Sequence, residues 1–210
     1  MPGGFLAINV GTVLDHGKHY NLPADLHHRL DDGGWLFRDE IIWRKTCKRI
    51  PRARVAIQNP YPGYYYPNII TETILVFRKP GDAIYANKTT KEKNAARFPI
   101  DDEFKHEIAN NVWNIAPVPP RFLDHPCPFP EEIPYRLIRA YSYPDDLILD
   151  PFCGSGQVMK VARALGRRGV GYEVVPAYVE LARRRASEPL HLRKNQLVAW
   201  FDKIPLGDAA

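Results

Sequence analysis

The feature that most limits what this chain can become is the turn Asp150-Pro151-Phe152-Cys153-Gly154-Ser155-Gly156, set between an apolar run (Leu147-Ile148-Leu149) and a helical pattern. A strand that ends in glycines lets backbone N–H groups come close to a ligand, because no Cβ stands in the way. Glu173 closes the next apolar run, at the position about 20 residues on where an acidic side chain accepts both hydroxyls of a ribose. Strand, turn, helix, strand and carboxylate in that order imply a parallel α/β sheet with a nucleotide-type cofactor at the strand ends. Dinucleotide sites carry a third glycine three residues beyond the second. That place is Met159 here, which argues against hydride-transfer chemistry.

Each residue of the turn also has an ordinary reading. Asp150 either meets the cofactor's amino group, orients the glycine turn, or caps the following helix by an Asx bond. Glu173 either receives the ribose or is a surface carboxylate. Phe152 either packs beside the cofactor or joins the core. Gly154, Ser155 and Gly156 supply the close backbone approach, and Cys153 reads as a small apolar filler.

The surroundings of the turn narrow the class. The turn resembles the AdoMet-binding turn of methyltransferases. The segment His125-Pro126-Cys127-Pro128-Phe129-Pro130-Glu131-Glu132-Ile133-Pro134, followed by Tyr135-Arg136-Leu137-Ile138-Arg139, is similar to the stretch preceding that turn in DNA amino-methyltransferases that modify adenine N6 or cytosine N4. The runs Glu40-Ile41-Ile42-Trp43-Arg44-Lys45 and Thr71-Glu72-Thr73-Ile74-Leu75-Val76-Phe77-Arg78-Lys79 are similar to that family's paired strands. The resemblance extends from Pro2 to about Arg185. It implies a Rossmann-like α/β methyltransferase sheet with helices on both faces, partial at the N-terminus. It also implies S-adenosyl-L-methionine as cofactor, with Asp150, Phe152, Gly154, Ser155, Gly156, Glu173 and Phe129 around it, and His125 and Phe129 near the methionine moiety. Double-stranded DNA is the implied partner, restriction-modification the implied setting, and the cytoplasm of a prokaryote or its virus-infected host the implied compartment.

In the permuted class that this order matches, the catalytic motif reads Asp, Asn or Ser, then Pro-Pro, then an aromatic residue, and precedes the strand Phe5–Val10. An exocyclic amine on a base is a poor nucleophile because its lone pair is delocalised into the ring; hydrogen-bond acceptors on the amine and a ring stacked on the extruded base overcome this. With Met1 so close to the strand, the motif has no room, and no catalytic residue is assigned. The nearest lookalike, Asn59-Pro60-Tyr61-Pro62, has one proline displaced and reads as a turn. The expectation is a fragment or split form, with an upstream segment or chain supplying the catalytic loop. The alternatives are a cofactor- or DNA-binding remnant inactive on its own, and a methyltransferase for RNA or another substrate.

Charge distribution bears on the partner. The chain carries a formal net charge of +5, and Arg44, Lys45, Lys48, Arg49, Arg52 and Arg54 lie in one stretch without an acidic residue. Such a run can neutralise phosphates and release counterions, or form a solvated loop. Tyr61, Tyr64, Tyr65 and Tyr66 follow, suited to stacking on bases or to covering a core edge. Three separated cysteines (Cys47, Cys127, Cys153) and four histidines without ligand spacing (His16, His19, His27, His28) predict neither disulfide nor metal. No apolar run approaches membrane-spanning length, and the N-terminus is not a signal peptide.

Read for elements, Phe5 to Val10 is a short strand. Leu22, Leu26 and Leu30 mark a helix stopped by Gly33-Gly34, and Leu36 to Trp43 and Thr73 to Phe77 are strands. Asp82 to Arg121 lacks periodicity, with Asn87 to Arg97 expected as a loop; helix, strand, helix, strand and helix follow from Pro130, the last near Pro176 to Ala186. At 210 residues one methyltransferase domain is expected, divided into catalytic-half strands (1–80, with the basic loop 44–68), a target-recognition insertion (81–124), the cofactor segment (125–190) and a tail (191–210).

Overall fold

A computed structural model describes residues 1–16, 18–46, 62–63, 69–119 and 123–192. By backbone proximity the chain forms two compact units: Met1–Ile84 with Asn111–Ala116, and Tyr85–Asn110 with Pro117–Ala210.

The first unit is built on a four-stranded sheet. Its strands are β1 (Phe5–Val10), β4 (Leu36–Lys45), β5 (Thr71–Arg78) and β6 (Val112–Ile115), in the order β1-β5-β4-β6; β2 (Val13–Asp15) and β3 (Lys18–Tyr20) form a separate antiparallel pair. β5 is antiparallel to both neighbours, with Ile74 opposite Asn9 and Ile41, while β6 runs parallel to β4. The central place of β5 explains its near-continuous apolar run: Ile74, Leu75, Val76 and Phe77 are all buried, so neither face calls for polar residues. Trp43 of β4 is buried and donates its indole N–H to the Ile115 carbonyl at 2.8 Å, fastening the parallel edge. Helix α1 (Leu22–Asp32) forms where the leucine spacing predicts it. Asn21 caps its start by accepting from the Ala24 N–H, and Gly34, at φ +78°, lies just beyond its end. His27 of this helix packs its ring on Phe37 and Phe77 at 4.7 and 5.4 Å, a packing role for one of the histidines.

The second unit holds α2 (Thr90–Ala96), a π-helical turn (Phe104–Ile108), α3 (Glu132–Tyr141), β7 (Leu147–Asp150), α4 (Gln157–Ala164), β8 (Arg168–Gly171) and α5 (Pro176–Arg185). The alternation expected from Pro130 onward is present. β7 and β8 are parallel, with Asp150 beside Gly171. Ile138, Val161 and Ala162 form the buried centre, joined by Ile148, Tyr135, Val158, Leu165 and Leu190. Burial of this sort, about 25 cal/mol per Å² of apolar surface, is what holds the strand ends against the helices.

The stretch 82–121 corrects the sequence expectation. Asn87 to Arg97 is not a loop throughout but contains α2, started by a capping box in which Glu92 N–H donates to Thr89 Oγ1 (3.2 Å) and Thr89 N–H donates to Glu92 Oε2 (2.8 Å). No residue of α2 is buried, so no apolar period marked it. The π-helical turn and β6 follow in the same stretch. Arg139 of α3 holds the segment around α2, donating to the Arg97 carbonyl at 2.9 Å with its guanidinium 4.5 Å from the centre of the Phe98 ring.

Candidate functional site

The turn after β7 is shaped by its own backbone bonds. Asp150 Oδ1 accepts the Phe152 N–H at 3.0 Å, an Asx turn that redirects the chain as the strand ends. Cys153 N–H donates to the Tyr172 carbonyl and Tyr172 N–H to the Asp150 carbonyl, both at 2.9 Å, so the ladder of β7 and β8 continues one step into the turn. Gly154 and Gly156 then adopt φ +51° and +79°, conformations that cost a residue with a Cβ. Space is as strict as torsion. A Cβ on Gly154 would lie 2.8 Å from His125 Nε2, and one on Gly156 would lie 2.7 Å from the backbone of Ala182 in α5.

The position that made the dinucleotide fingerprint fail has a local answer. Met159 packs its sulfur where a Cβ on Gly169 of β8 would come within 2.8 Å. Close helix-to-strand approach is therefore provided by a glycine on the strand instead of one on the helix.

Glu173 lies where the sequence puts it, beyond β8, and faces the turn. Its Oε2 accepts the Gly154 N–H at 2.8 Å, and its Oε1 accepts the Val174 and Val175 N–H groups at 2.9 Å each. These bonds, that of Val175 foremost, hold its carboxyl below the ordinary carboxylate range, and the neighbouring His125 acts in the same direction. Asp150 is shifted the other way. Burial raises its pKa, the Phe152 N–H partly offsets that, and the charge of Glu173 adds to the rise. Burial, aided by both carboxylates, pushes the Cys153 thiol up to about 11, in keeping with a packed, unreactive filler.

Phe152 is 88% exposed, which removes the core reading for that ring. Val174, next to Glu173, is 94% exposed, and Tyr172 is exposed as well. The sequence reading missed Val174 although its place after the carboxylate was visible. Bare apolar side chains beside a glycine turn and a carboxylate offer surface to a flat ring. His125 is half-buried; its Nδ1 accepts the Cys127 N–H at 3.3 Å, which leaves the proton of the neutral ring on Nε2, and its ring meets Tyr178 edge-on at 4.8 Å. Phe129 is half-buried with its carbonyl bound by Gln157 Nε2 at 2.8 Å.

Behind the turn lies a buried polar cluster that the sequence did not reveal. Lys160 of α4 donates to Glu131 at 2.6 Å and lies 3.5 Å from Glu188; Arg185 of α5 donates to the Ser155 carbonyl at 2.7 Å and to Gln157 Oε1 at 2.6 Å. Ser155, Gln157, Lys160, Arg185 and Glu131 are all buried. No periodicity connects residues this far apart on three helices, and long charged side chains read by default as surface.

Of the basic run, Arg44 and Lys45 end β4 and the other four residues lie outside the described ones, as do Tyr61, Tyr64, Tyr65, Tyr66 and all of Asn59-Pro60-Tyr61-Pro62 except its last proline. Lys45 is ion-paired with Glu72, which also accepts from Asn9 Nδ2 at 2.8 Å; Arg44 reaches Asn114 Oδ1 at 3.5 Å. Among the described residues no group of three or more His, Cys, Asp or Glu could hold a metal ion, and no helix is long and apolar enough to cross a membrane.

Comparison with known proteins matches residues 1–184 to the N6/N4 DNA methylase family model. The type II methyltransferase M.MthZI of Methanothermobacter thermautotrophicus is 31% identical over 208 residues, covering 94% of this chain and 57% of that protein. M.MjaI, a type II methyltransferase of Methanocaldococcus jannaschii, is 31% identical and is covered to 58% of its length by 83% of this chain. The chain thus spans a little over half the length of these relatives. Among solved structures, a Thermus thermophilus protein described as a DNA modification methylase, complexed with S-adenosyl-L-methionine, superposes with TM-score 0.68 at 34% identity over 89% of this chain and 69% of that one.

Proposed function

This chain belongs to the N6/N4 DNA methylase family, with its Rossmann-like α/β fold, and from that premise we propose that the turn 150–156 binds S-adenosyl-L-methionine as part of an enzyme that methylates an exocyclic amino group of adenine or cytosine in duplex DNA. The observation that carries the reading is Glu173: an ionised carboxylate, bonded to the glycine turn and flanked by the bare side chains of Val174 and Phe152. Its oxygens suit ribose hydroxyls. Val174 and Phe152 suit the flat adenine, Asp150 the α-ammonium, and the Gly154-Ser155-Gly156 backbone with Phe129 and His125 the amino-acid end. The sulfonium of the bound cofactor supplies the methyl group; these residues bind it, orient it and exclude water.

The basic run Arg44 to Arg54 is the proposed phosphate contact, with Lys45 shared between that role and Glu72. The segment 89–98, held on α3 by Arg139, is proposed as part of the target-recognition region. The acceptors for the target amine come, in this reading, from a segment or chain other than these 210 residues, within which no Asp, Asn or Ser followed by Pro-Pro and an aromatic occurs.

Titration calorimetry with S-adenosyl-L-methionine tests the cofactor site. The wild-type chain binds, and Glu173→Ala weakens binding about tenfold or more through loss of a charged acceptor. Equal affinity in the variant would remove Glu173 from the site. Tritiated-methyl transfer to duplex DNA tests the rest: the isolated chain gives a blank, whereas turnover abolished by a change at Asn59 would move the reaction centre to 59–62.

A further inference from the structure

Some of the cofactor-facing atoms proposed above are backbone atoms of Gly154, Ser155 and Gly156, and a side chain from outside the turn fixes where the Ser155 carbonyl points. Arg185 does this from behind. It is buried at the end of α5, and its two terminal nitrogens donate to the Ser155 carbonyl at 2.7 Å and to Gln157 Oε1 at 2.6 Å. Gln157 passes the restraint on, donating from Nε2 to the Phe129 carbonyl at 2.8 Å. One guanidinium therefore sets the relative position of the middle of the glycine turn and of the segment that precedes α3.

The charges around Arg185 balance. Glu131 immediately precedes α3 and Glu188 follows α5; Lys160 lies 2.6 Å from the first and 3.5 Å from the second, and Arg185 lies 3.8 and 3.6 Å from the same two carboxylates. Glu131 Oε2 also accepts the His191 N–H at 2.7 Å. Buried ion networks seldom add stability beyond what apolar residues of the same volume would give, because desolvation offsets the attraction. What they supply is direction: a planar guanidinium with fixed N–H vectors orients two partners at once, which no apolar side chain can do.

We infer that Arg185 is a positioning residue for the amino-acid end of the cofactor cleft, holding Ser155 directly and Phe129 through Gln157. The inference rests on the S-adenosyl-L-methionine reading and goes beyond it by dividing the cleft. Glu173 and Val174 serve the adenosine end, where Glu173 takes the Gly154 N–H and no bond from Arg185 or Gln157 described above, whereas Ser155 and Phe129 are held by those two residues.

The division gives a test that a general loss of stability would not mimic. Affinities for S-adenosyl-L-methionine and for 5′-methylthioadenosine, which lacks the amino-acid portion, are measured on the full chain by calorimetry, alongside thermal melting. Arg185→Met is expected to weaken S-adenosyl-L-methionine about tenfold while methylthioadenosine changes by less than about twofold, and Arg185→Lys, which keeps the charge and one bond, to recover part of the loss. If Arg185→Met does not fold, Gln157→Met decides: it leaves all four charges and the Arg185 bond to the Ser155 carbonyl in place, removes the Gln157 bonds to Arg185 and to Phe129, and is expected to show the same selective loss on a smaller scale. Both ligands weakened in parallel with a lower melting temperature, or both unchanged in a folded variant, overturns the inference. A wild-type chain that binds neither ligand instead overturns the cofactor reading itself.

Discussion

Gly156 and Gly166 stand at the two ends of α4, and both have left-handed backbone, at φ +79° and +71°. Their surroundings differ completely: a Cβ on Gly166 meets nothing within 4 Å, while one on Gly156 meets Ala182 Cα at 2.7 Å, its Cβ at 2.8 Å and its carbonyl oxygen at 3.0 Å. Gly166→Ala therefore carries only the torsional cost, roughly 1–2 kcal/mol. Gly156→Ala carries that cost plus an overlap that only a shift of α5 can relieve, which adds about 1–3 kcal/mol. In a chain of this size each kcal/mol lowers the melting temperature by about 2–4 °C, so the Gly156 variant should melt about 2–12 °C below the Gly166 variant. Cofactor affinity should fall only in the Gly156 variant, because Gly156 is part of the turn and the displaced α5 carries Arg185. Differential scanning calorimetry with and without S-adenosyl-L-methionine measures both quantities. Equal melting temperatures would refute the claim that helix approach, and not torsion alone, demands glycine at 156.

Two further perturbations test other parts of the reading. Burial raises the Asp150 pKa, so the stability tied to its protonated form is fully present below the ordinary aspartate value and is lost as pH rises through the higher folded value; Asp150→Asn keeps the acceptor for Phe152 N–H and should melt at or above wild type at about pH 7, with the difference shrinking toward about pH 4, while binding S-adenosyl-L-methionine more weakly. A gap that widens on acidification would contradict the assignment. Replacing Lys48, Arg49 and Arg52 with alanine should weaken duplex binding at low salt and flatten the log–log salt dependence by about 0.9 for each phosphate no longer neutralised; an unchanged slope would return the run to a solvated loop.

Legibility in the sequence followed burial pattern and local chemistry. β5 and β7 are short apolar runs, and the strand-to-glycine transition at Asp150 is a local event, so both could be read without tertiary knowledge. The β2–β3 pair escaped notice because its strands are three residues each and β3 is exposed throughout, leaving no alternation to detect. α2 escaped for a related reason, although the Thr89 and Glu92 spacing of its capping box was there to be used. β6 is four residues long with Trp113 and Ile115 buried, too brief to outweigh the polar residues around it. The network of Glu131, Gln157, Lys160 and Arg185 could not be read at all, since its members join only when three helices converge.

In the proposed cofactor site, Glu173 would satisfy a folding requirement and a binding requirement together. Without a ligand its two oxygens already take three backbone N–H groups, two from the residues leading into α5 and one from Gly154. An ionised carboxylate offers about four acceptor positions, so these bonds leave capacity for one further donor. That position lies on Oε2, the oxygen that receives the Gly154 N–H, so in the proposed site a ribose hydroxyl would meet the carboxylate beside the turn. The same bonds keep the carboxyl ionised below the ordinary range, so the proposed acceptor is ionised without a ligand. Residues that merely cap a helix do not need a partner on the neighbouring strand's turn. The bond from Gly154 is the part of this arrangement that a surface carboxylate would lack, and it ties the start of α5 to the glycine turn whose geometry Arg185 restrains from the other side.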